Sequence, residues 1–285
     1  MTFSPEVMIQ AKLQPLHPIE TGLPPQLTPI RGIRALLFDV YGTLLISGQG
    51  EVGSDASQSP SSKPLPHELD FLTSVCSQAE IRNGLLQEIH KEHKRLKTIG
   101  VDFPEVEIRD IWKRMVQKCS PKQPSQDWEQ LALAYELSTN PTWSMPGFPE
   151  IFFHFKLTEL RLGIVSNAQF YTRPILETLG EHSLESLGIE PELCAWSYAL
   201  QCAKPSPHIF QGPLDVLARS GISPHEVLYI GNDMRNDVAT AHEVGCHTAL
   251  FAGDQRSLRL REGEHGPSPD AIITDLHQIP ELLCE

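Results

Sequence analysis

Five short apolar runs, each closed by small or polar residues, constrain this chain more than anything else in it. They are Ala35–Phe38 before Asp39-Val40-Tyr41-Gly42-Thr43, Leu162–Val165 before Ser166-Asn167, and Glu226–Ile230 before Gly231-Asn232-Asp233. Thr248–Phe251 before Ala252-Gly253-Asp254, and Ala271–Thr274, complete the set. Runs this short, without polar alternation, read as strands buried on both faces. Between them lie helical periods over Pro149–Leu160, Thr172–Leu179, His208–Arg219, Asp237–Val244 and Leu276–Leu283. That alternation predicts an α/β fold in three layers, a parallel sheet with helices on both faces. Ligands bind such sheets at the carboxyl ends of the strands. Asp39, Ser166-Asn167 and Asn232-Asp233 all fall there.

The alternation breaks over residues 48–144. Residues 48–68 are rich in Gly, Ser and Pro, the composition of a hinge or exposed loop. Helical periods then run over His67–Cys76, Ala79–Ile99, Glu105–Cys119 and Gln126–Leu137. So long a stretch without a strand signal, between the first strand and the second, predicts an inserted, mainly α-helical domain over 48–144. Asn140-Pro141 and Pro146-Gly147 mark the return to the sheet. The core is then 32–47 together with 145–285. Residues 1–31 carry prolines at 5, 15, 18, 24, 25 and 29 and are expected to form an extended or disordered surface arm.

Charge and composition narrow the function. Lys and Arg total 23 against 36 Asp and Glu, a net charge of −13 over 285 residues. Such a surface repels phosphate backbones and argues against nucleic acid as a partner. It leaves a small anionic substrate open, because one bound cation reverses the field locally. The cysteines at 76, 119, 194, 202, 246 and 284 form no CxxC pair and no zinc spacing, and read as reduced thiols. His90 and His93 share a helical face with Lys91, Glu92, Lys94 and Arg95, as a solvated stripe does. No apolar run approaches the ~18–20 residues of a membrane span, and the N-terminus lacks the pattern of a signal peptide. A cytoplasmic protein without membrane partners is the expectation.

The polar clusters carry the chemistry. Asp39, with Gly42 and Thr43, offers a carboxylate on a tight turn whose backbone N–H groups can face a substrate. Ser166 offers a hydroxyl to an oxyanion. Lys204, followed by Pro205, sits in a non-helical turn and supplies a point charge. Asn232, Asp233, Asn236 and Asp237 place oxygen donors just past a strand, which suits a hard cation such as Mg²⁺.

Four segments in this order resemble the motifs of the haloacid dehalogenase (HAD) superfamily of hydrolases. They are Phe38-Asp39-Val40-Tyr41-Gly42-Thr43-Leu44, Ile164-Val165-Ser166-Asn167, Ala203-Lys204-Pro205 and Tyr229-Ile230-Gly231-Asn232-Asp233-Met234-Arg235-Asn236-Asp237. The resemblance spans about residues 32–254 and implies a Rossmann-like core with a helical cap inserted after the first motif. It implies Asp39 as the nucleophile of a covalent aspartyl intermediate. Thr43 and Ser166 would hold the oxygens of the transferred group, and Lys204 would neutralise charge beside Asp39. Tyr41, Gly42 and Asn167 are expected around the substrate. Asp39, the backbone carbonyl of Tyr41, Asp233, Asn232 and Asp237 are the candidate Mg²⁺ ligands, with the division among the last three left open because Asn232 stands where the family often has Asp.

One position departs from the phosphatase pattern. HAD phosphatases resemble Asp-x-Asp, whose second Asp protonates the leaving alcohol, and here that position is Tyr41. The Asp-x-Tyr-Gly-Thr form is dehalogenase-like. A lost general acid costs ~10²–10⁴ in rate, and a Tyr hydroxyl near its usual pKa of ~10 replaces it poorly. Against a dehalogenase stand the acidic fourth motif and the lack of any Arg between Arg34 and Arg82, where a halide-binding arginine of the early cap would fall. A Mg²⁺-dependent hydrolase of a small phosphorylated metabolite is the favoured expectation. A 2-haloacid dehalogenase and a catalytically decayed binding protein are the alternatives. Glu51, Asp55 and the cap histidines are the candidate replacements for the missing acid.

Overall fold

The structure is a computed structural model that describes residues 4–49, 64–119, 127–261, 263 and 266–284. Its strands are β1 (Ile30–Arg31), β2 (Ala35–Phe38), β3 (Leu45–Ser47), β4 (Thr142–Ser144), β5 (Arg161–Ser166), β6 (Ile189–Trp196), β7 (Val227–Gly231), β8 (His247–Phe251), β9 (Ala271–Ile273) and β10 (Leu283–Cys284). Its helices are α1 (Pro5–Lys12), α2 (Asp70–Thr73), α3 (Gln78–Thr98), α4 (Ile108–Cys119), α5 (Trp128–Thr139), α6 (Glu150–Phe155), α7 (Thr172–Gly180), α8 (Ser197–Leu200), α9 (His208–Arg219), α10 (Thr240–Glu243) and α11 (Ile279–Leu282). A wide π turn, Met234–Ala239, precedes α10.

Six strands form one parallel sheet in the order β6-β5-β2-β7-β8-β9. Alternate residues of β2 leave on opposite faces. Leu36 and Phe38 join the apolar cluster that includes Ile164, Ile230 and Phe152, while Ala35 and Leu37 join Val165, Leu193, Phe210 and Tyr229 on the other side. Burial on both faces is why the run lacks polar alternation. The chain leaves β2 towards β5 and β6, then returns to the far side of β2 for β7, β8 and β9. The switch point therefore lies at the carboxyl end of β2, where Asp39 stands.

The predicted α/β core is present, with differences of physical origin. Strand β6 had no strand signal because it is the sheet edge: its burial is patchy and it carries Pro191, which an edge tolerates. The N-terminal segment is not merely extended. Pro5 opens a helix at a position where its missing N–H costs nothing, and Ile9 of that helix is fully buried. Further on, Gln26 exchanges two backbone hydrogen bonds with Ile272, and β1 pairs with β10.

The helical segment between β3 and β4 starts and ends at one place, because those strands pair antiparallel and Gly48 N donates to Pro141 O. Helix α3 begins at a capping box between Ser77 and Glu80, and Asp127 caps α5. Ile81, Trp112, Met115 and Leu133 of α3–α5 belong to the same apolar cluster as Phe38 and Ile164 of the sheet. Among the described residues no helix is long and apolar enough to cross a membrane. Cys76, Cys119, Cys194, Cys202 and Cys246 are free thiols.

Candidate active site

Asp39 is the first residue past β2, and the chain turns sharply behind it. Leu44 N and Leu45 N both donate to Val40 O, and Gly42 N donates to Leu45 O at 2.6 Å. Gly42 has φ +86°, and a Cβ there would lie 2.5 Å from Ser257 Cβ and 2.7 Å from Asn232 Nδ2, so only glycine fits. The turn sets Thr43 Oγ1 3.2 Å from Asn232 Oδ1, which joins the loops after β2 and β7.

Lys204 is the hub. Its Nζ donates to Asp39 Oδ1 at 2.7 Å, to Tyr229 Oη at 2.8 Å and to Asp237 Oδ1 at 2.5 Å. Asn167 holds the lysine backbone from both sides: Lys204 N donates to Asn167 Oδ1 at 2.7 Å, and Asn167 Nδ2 donates to Lys204 O at 3.1 Å. The second oxygen of Asp237 accepts from the backbone N–H groups of Asn232 and Asp233, each at 2.9 Å. The π turn and Gly231 allow this approach, since a Cβ on Gly231 would sit 2.4 Å from Asp237 Cγ. Gly231→Ala is accordingly expected to cost about 2–3 kcal/mol through overpacking. Chemical denaturation would read the loss as a lower midpoint, and an unchanged midpoint would contradict this packing.

The electrostatics follow from burial against pairing. Burial pushes the Lys204 ammonium down, but the carboxylates of Asp237 and Asp39 outweigh it and hold the lysine above its ordinary value. Burial pushes Asp237 up to about 6, against the pull of Lys204. With Lys204 Nζ and the backbone N–H groups of Asn232 and Asp233 aimed at its two oxygens, Asp237 is a carboxylate at neutral pH. Tyr229, which the sequence did not single out, joins the network through its hydroxyl, 2.7 Å from the carbonyl of Val165.

The other expected residues divide. Ser166 is fully buried at the end of β5, where its hydroxyl donates to Asn167 O at 3.4 Å. Asp233 faces its own turn. It caps the turn through Arg235 N and Asn236 N and is chelated by Arg261 Nε at 3.1 Å and Nη2 at 2.5 Å. Burial raises its carboxyl, but Arg261 and the two backbone N–H groups outweigh that and hold it low. Asn232 Nδ2 donates to Ser257 O at 2.6 Å, leaving its Oδ1 towards Thr43. The oxygens of Asp233 and Asp237, both expected as cation ligands, are thus taken up by protein donors.

The Tyr41 hydroxyl lies 3.2 Å from Thr172 Oγ1, and burial drives its pKa far above the usual tyrosine value. Beside it, Tyr171 donates to Glu136, which Asn140 also holds. Glu51 and Asp55 lie outside the described residues.

One acid at the strand ends was missed. Glu105 was expected to be the first residue of a helix, yet α4 begins at Ile108, because the Gln169 side chain engages Val106 O and Ile108 N. The partly buried Glu105 carboxyl instead meets Gln169 Nε2 and Ser197 Oγ, each at 3.2 Å. Burial pushes it up to about 7. Nothing in the local sequence marks Glu105, since its side-chain partners Gln169 and Ser197 are more than 60 residues away.

The HAD-hydrolase-like family description matches residues 201–279, the stretch from Lys204 through the fourth motif to the last sheet strand. The Rhythmically expressed gene 2 protein of Drosophila melanogaster is 32% identical over 270 residues, covering 88% of this chain and 95% of that protein. The phospholysine phosphohistidine inorganic pyrophosphate phosphatase of Xenopus laevis is 24% identical, over 84% of this chain and 87% of that one. The same fold occurs in the HAD phosphatase from Thermococcus onnurineus, with TM-score 0.51 and 22% identity over 88% of this chain and 97% of that one. The 2-haloacid dehalogenase from Pseudomonas syringae pv. Tomato DC3000 shares it too, with TM-score 0.53 and 18% identity over the same shares. With its four motifs gathered at the switch point of a parallel sheet, and a relative matching almost end to end, this chain belongs to the haloacid dehalogenase superfamily of hydrolases.

Proposed function

We propose that the protein hydrolyses a phosphate ester of a small anionic metabolite through a covalent intermediate on Asp39. The observation that carries this reading is the buried Lys204, which bridges Asp39 and Asp237 at the strand ends. A fixed cation there orients the Asp39 carboxylate and favours the charge that collects on phosphoryl oxygens. In this reading Thr43 and Ser166, after two neighbouring strands, offer their hydroxyls to those oxygens. Gly42 shapes the turn behind Asp39, and Asn167 holds the Lys204 backbone. The helical insert over 48–144 serves as the cap that excludes water.

Mg²⁺ fits this site through fewer ligands than the sequence led us to expect. Asp39 keeps one carboxylate oxygen, and Tyr41 its carbonyl, without a hydrogen bond among the described residues. Asn232 Oδ1 is the third oxygen of the set. Among the described residues no group of three or more His, Cys, Asp or Glu gathers to hold a metal. One carboxylate, one carbonyl and one amide suit a hard cation that keeps several waters. When bound, Mg²⁺ supplies charge against the phosphoryl oxygens. Asn232→Asp adds a second carboxylate and is expected to tighten Mg²⁺ binding by about tenfold, since affinity follows ligand charge. Isothermal titration of Asn232→Asp against the natural chain reads this directly, and equal or weaker binding would remove Asn232 from the set.

Tyr41 supports a second reading, a carbon–halogen hydrolase, because its hydroxyl is bonded to Thr172 and a departing halide needs no proton. One incubation series separates the two. The purified protein meets p-nitrophenyl phosphate and 2-chloropropionate, with Mg²⁺ and with EDTA, while phosphate and chloride are both measured. Phosphate release that EDTA abolishes is the expected result. Metal-independent chloride release would establish the second reading.

A further inference from the structure

An alcohol leaving group departs from phosphorus at a useful rate only if a proton reaches its oxygen, and the acid that gives it works best with a pKa near the working pH. Tyr41 is unsuited: its hydroxyl is held by Thr172, and burial keeps its proton on far beyond neutral pH. The acids beside the nucleophile are committed, Asp237 to Lys204 and Asp233 to Arg261. Glu136 is held between Tyr171 and Asn140. Glu105 is set apart by its place beside the Lys204 loop.

Its backbone is tied to the loop that carries Lys204. Ala203 N donates to Phe103 O at 2.8 Å, Glu105 N donates to Gln201 O at 3.1 Å, and Pro104 bridges to Cys202. The carboxyl is thereby fixed at the carboxyl ends of β5 and β6, against Gln169, three residues past Ser166, and against Ser197, one past β6. Its partners are neutral: Val106 N donates to Oε1 at 2.8 Å, beside Gln169 and Ser197. Ser197 has one hydroxyl proton and two acceptors at 3.2 Å, Ala168 O and Glu105 Oε2. When that proton goes to Ala168, the Glu105 bond to Ser197 requires the proton of Glu105 itself. The site thus accommodates both the acid and the carboxylate, and burial sets the balance between them close to neutrality, at about 7.

We infer that Glu105 is the proton donor to the leaving group, supplied to the strand ends by the inserted segment in place of the residue at position 41. The inference rests on the phosphate-ester reading above. In the first step a carboxylate oxygen of Asp39 attacks phosphorus. The bond from phosphorus to the ester oxygen breaks, its electron pair stays with that oxygen, and the Glu105 proton joins it to release the alcohol. In the second step water attacks the phosphorus of the aspartyl phosphate. Glu105, now a carboxylate, takes one water proton, Asp39 departs as a carboxylate, and hydrogen phosphate leaves.

The test is the dependence of rate on the leaving group, which a merely structural role for Glu105 would not change. The natural chain and Glu105→Gln, which keeps the hydrogen bonds but carries no acidic proton, are compared on p-nitrophenyl phosphate and glycerol 2-phosphate. The kcat/KM ratio of the aryl to the alkyl ester is expected to rise ~10²-fold or more in Glu105→Gln, because only the alkyl ester needs the proton. An unchanged ratio, whether both rates fall equally or neither falls, would overturn the inference. If Glu105→Gln does not fold, the natural chain alone decides over a series of aryl phosphates. A rate nearly independent of leaving-group basicity supports a donor, and a steep fall with basicity refutes it. Failure of the underlying reading is recognisable separately, as no phosphate released by the natural chain from any of these esters.

Discussion

Asp39→Asn is expected to lower turnover by about 10⁴-fold or more while leaving the fold intact, the scale seen when a covalent nucleophile is removed. An amide at this position cannot form the intermediate. Structurally the exchange is mild, because Lys204 keeps Asp237 and Tyr229 as partners and the amide oxygen still accepts a hydrogen bond from Nζ. The check is phosphate release alongside circular dichroism and a thermal melt. A folded Asp39→Asn protein with appreciable activity would contradict the assignment of the nucleophile.

Lys204→Met is expected to do the reverse damage as well as stop turnover. The lysine side chain is 2% exposed and lies between two carboxylates, so its removal leaves Asp39 and Asp237 facing each other without a cation. Breaking a buried pair from one side costs about 3–5 kcal/mol. The pH dependence has a definite sign. Without the cation, nothing offsets the burial that raises the Asp237 carboxyl in the folded state. The penalty is therefore present in full above its folded pKa and shrinks as pH falls towards the unfolded one. Urea titrations of both proteins at pH 8 and pH 5 read this as a stability gap that narrows on acidification. A gap that is constant or widens would contradict the buried bridge.

The residues that were legible in the sequence are those whose roles are local. Each strand end advertises itself by an apolar run followed by a turn, so Asp39, Ser166 and the Asn232–Asp237 loop were found from spacing alone. Lys204 was marked by the proline after it. What spacing does not encode is which partner each oxygen takes. Asp233 and Asp237 looked alike on the page. In the structure the π turn sends Asp237 under Gly231 to Lys204, while Asp233 caps its own turn and meets Arg261. Tyr229 was read only as a strand residue, because a residue buried on one face of a strand shows no sign of the network its hydroxyl joins. Strand β6 was hidden by its edge position, and Glu105 by long-range partners in two other segments.

The central claim, a covalent phosphoryl-enzyme on Asp39, is tested most directly by acid-quenching the protein during turnover of p-nitrophenyl phosphate labelled with ³²P. The account predicts label bound to the natural chain, released by hydroxylamine as an acyl phosphate is, and missing from Asp39→Asn. Phosphate release without bound label, or equal labelling of Asp39→Asn, would contradict it.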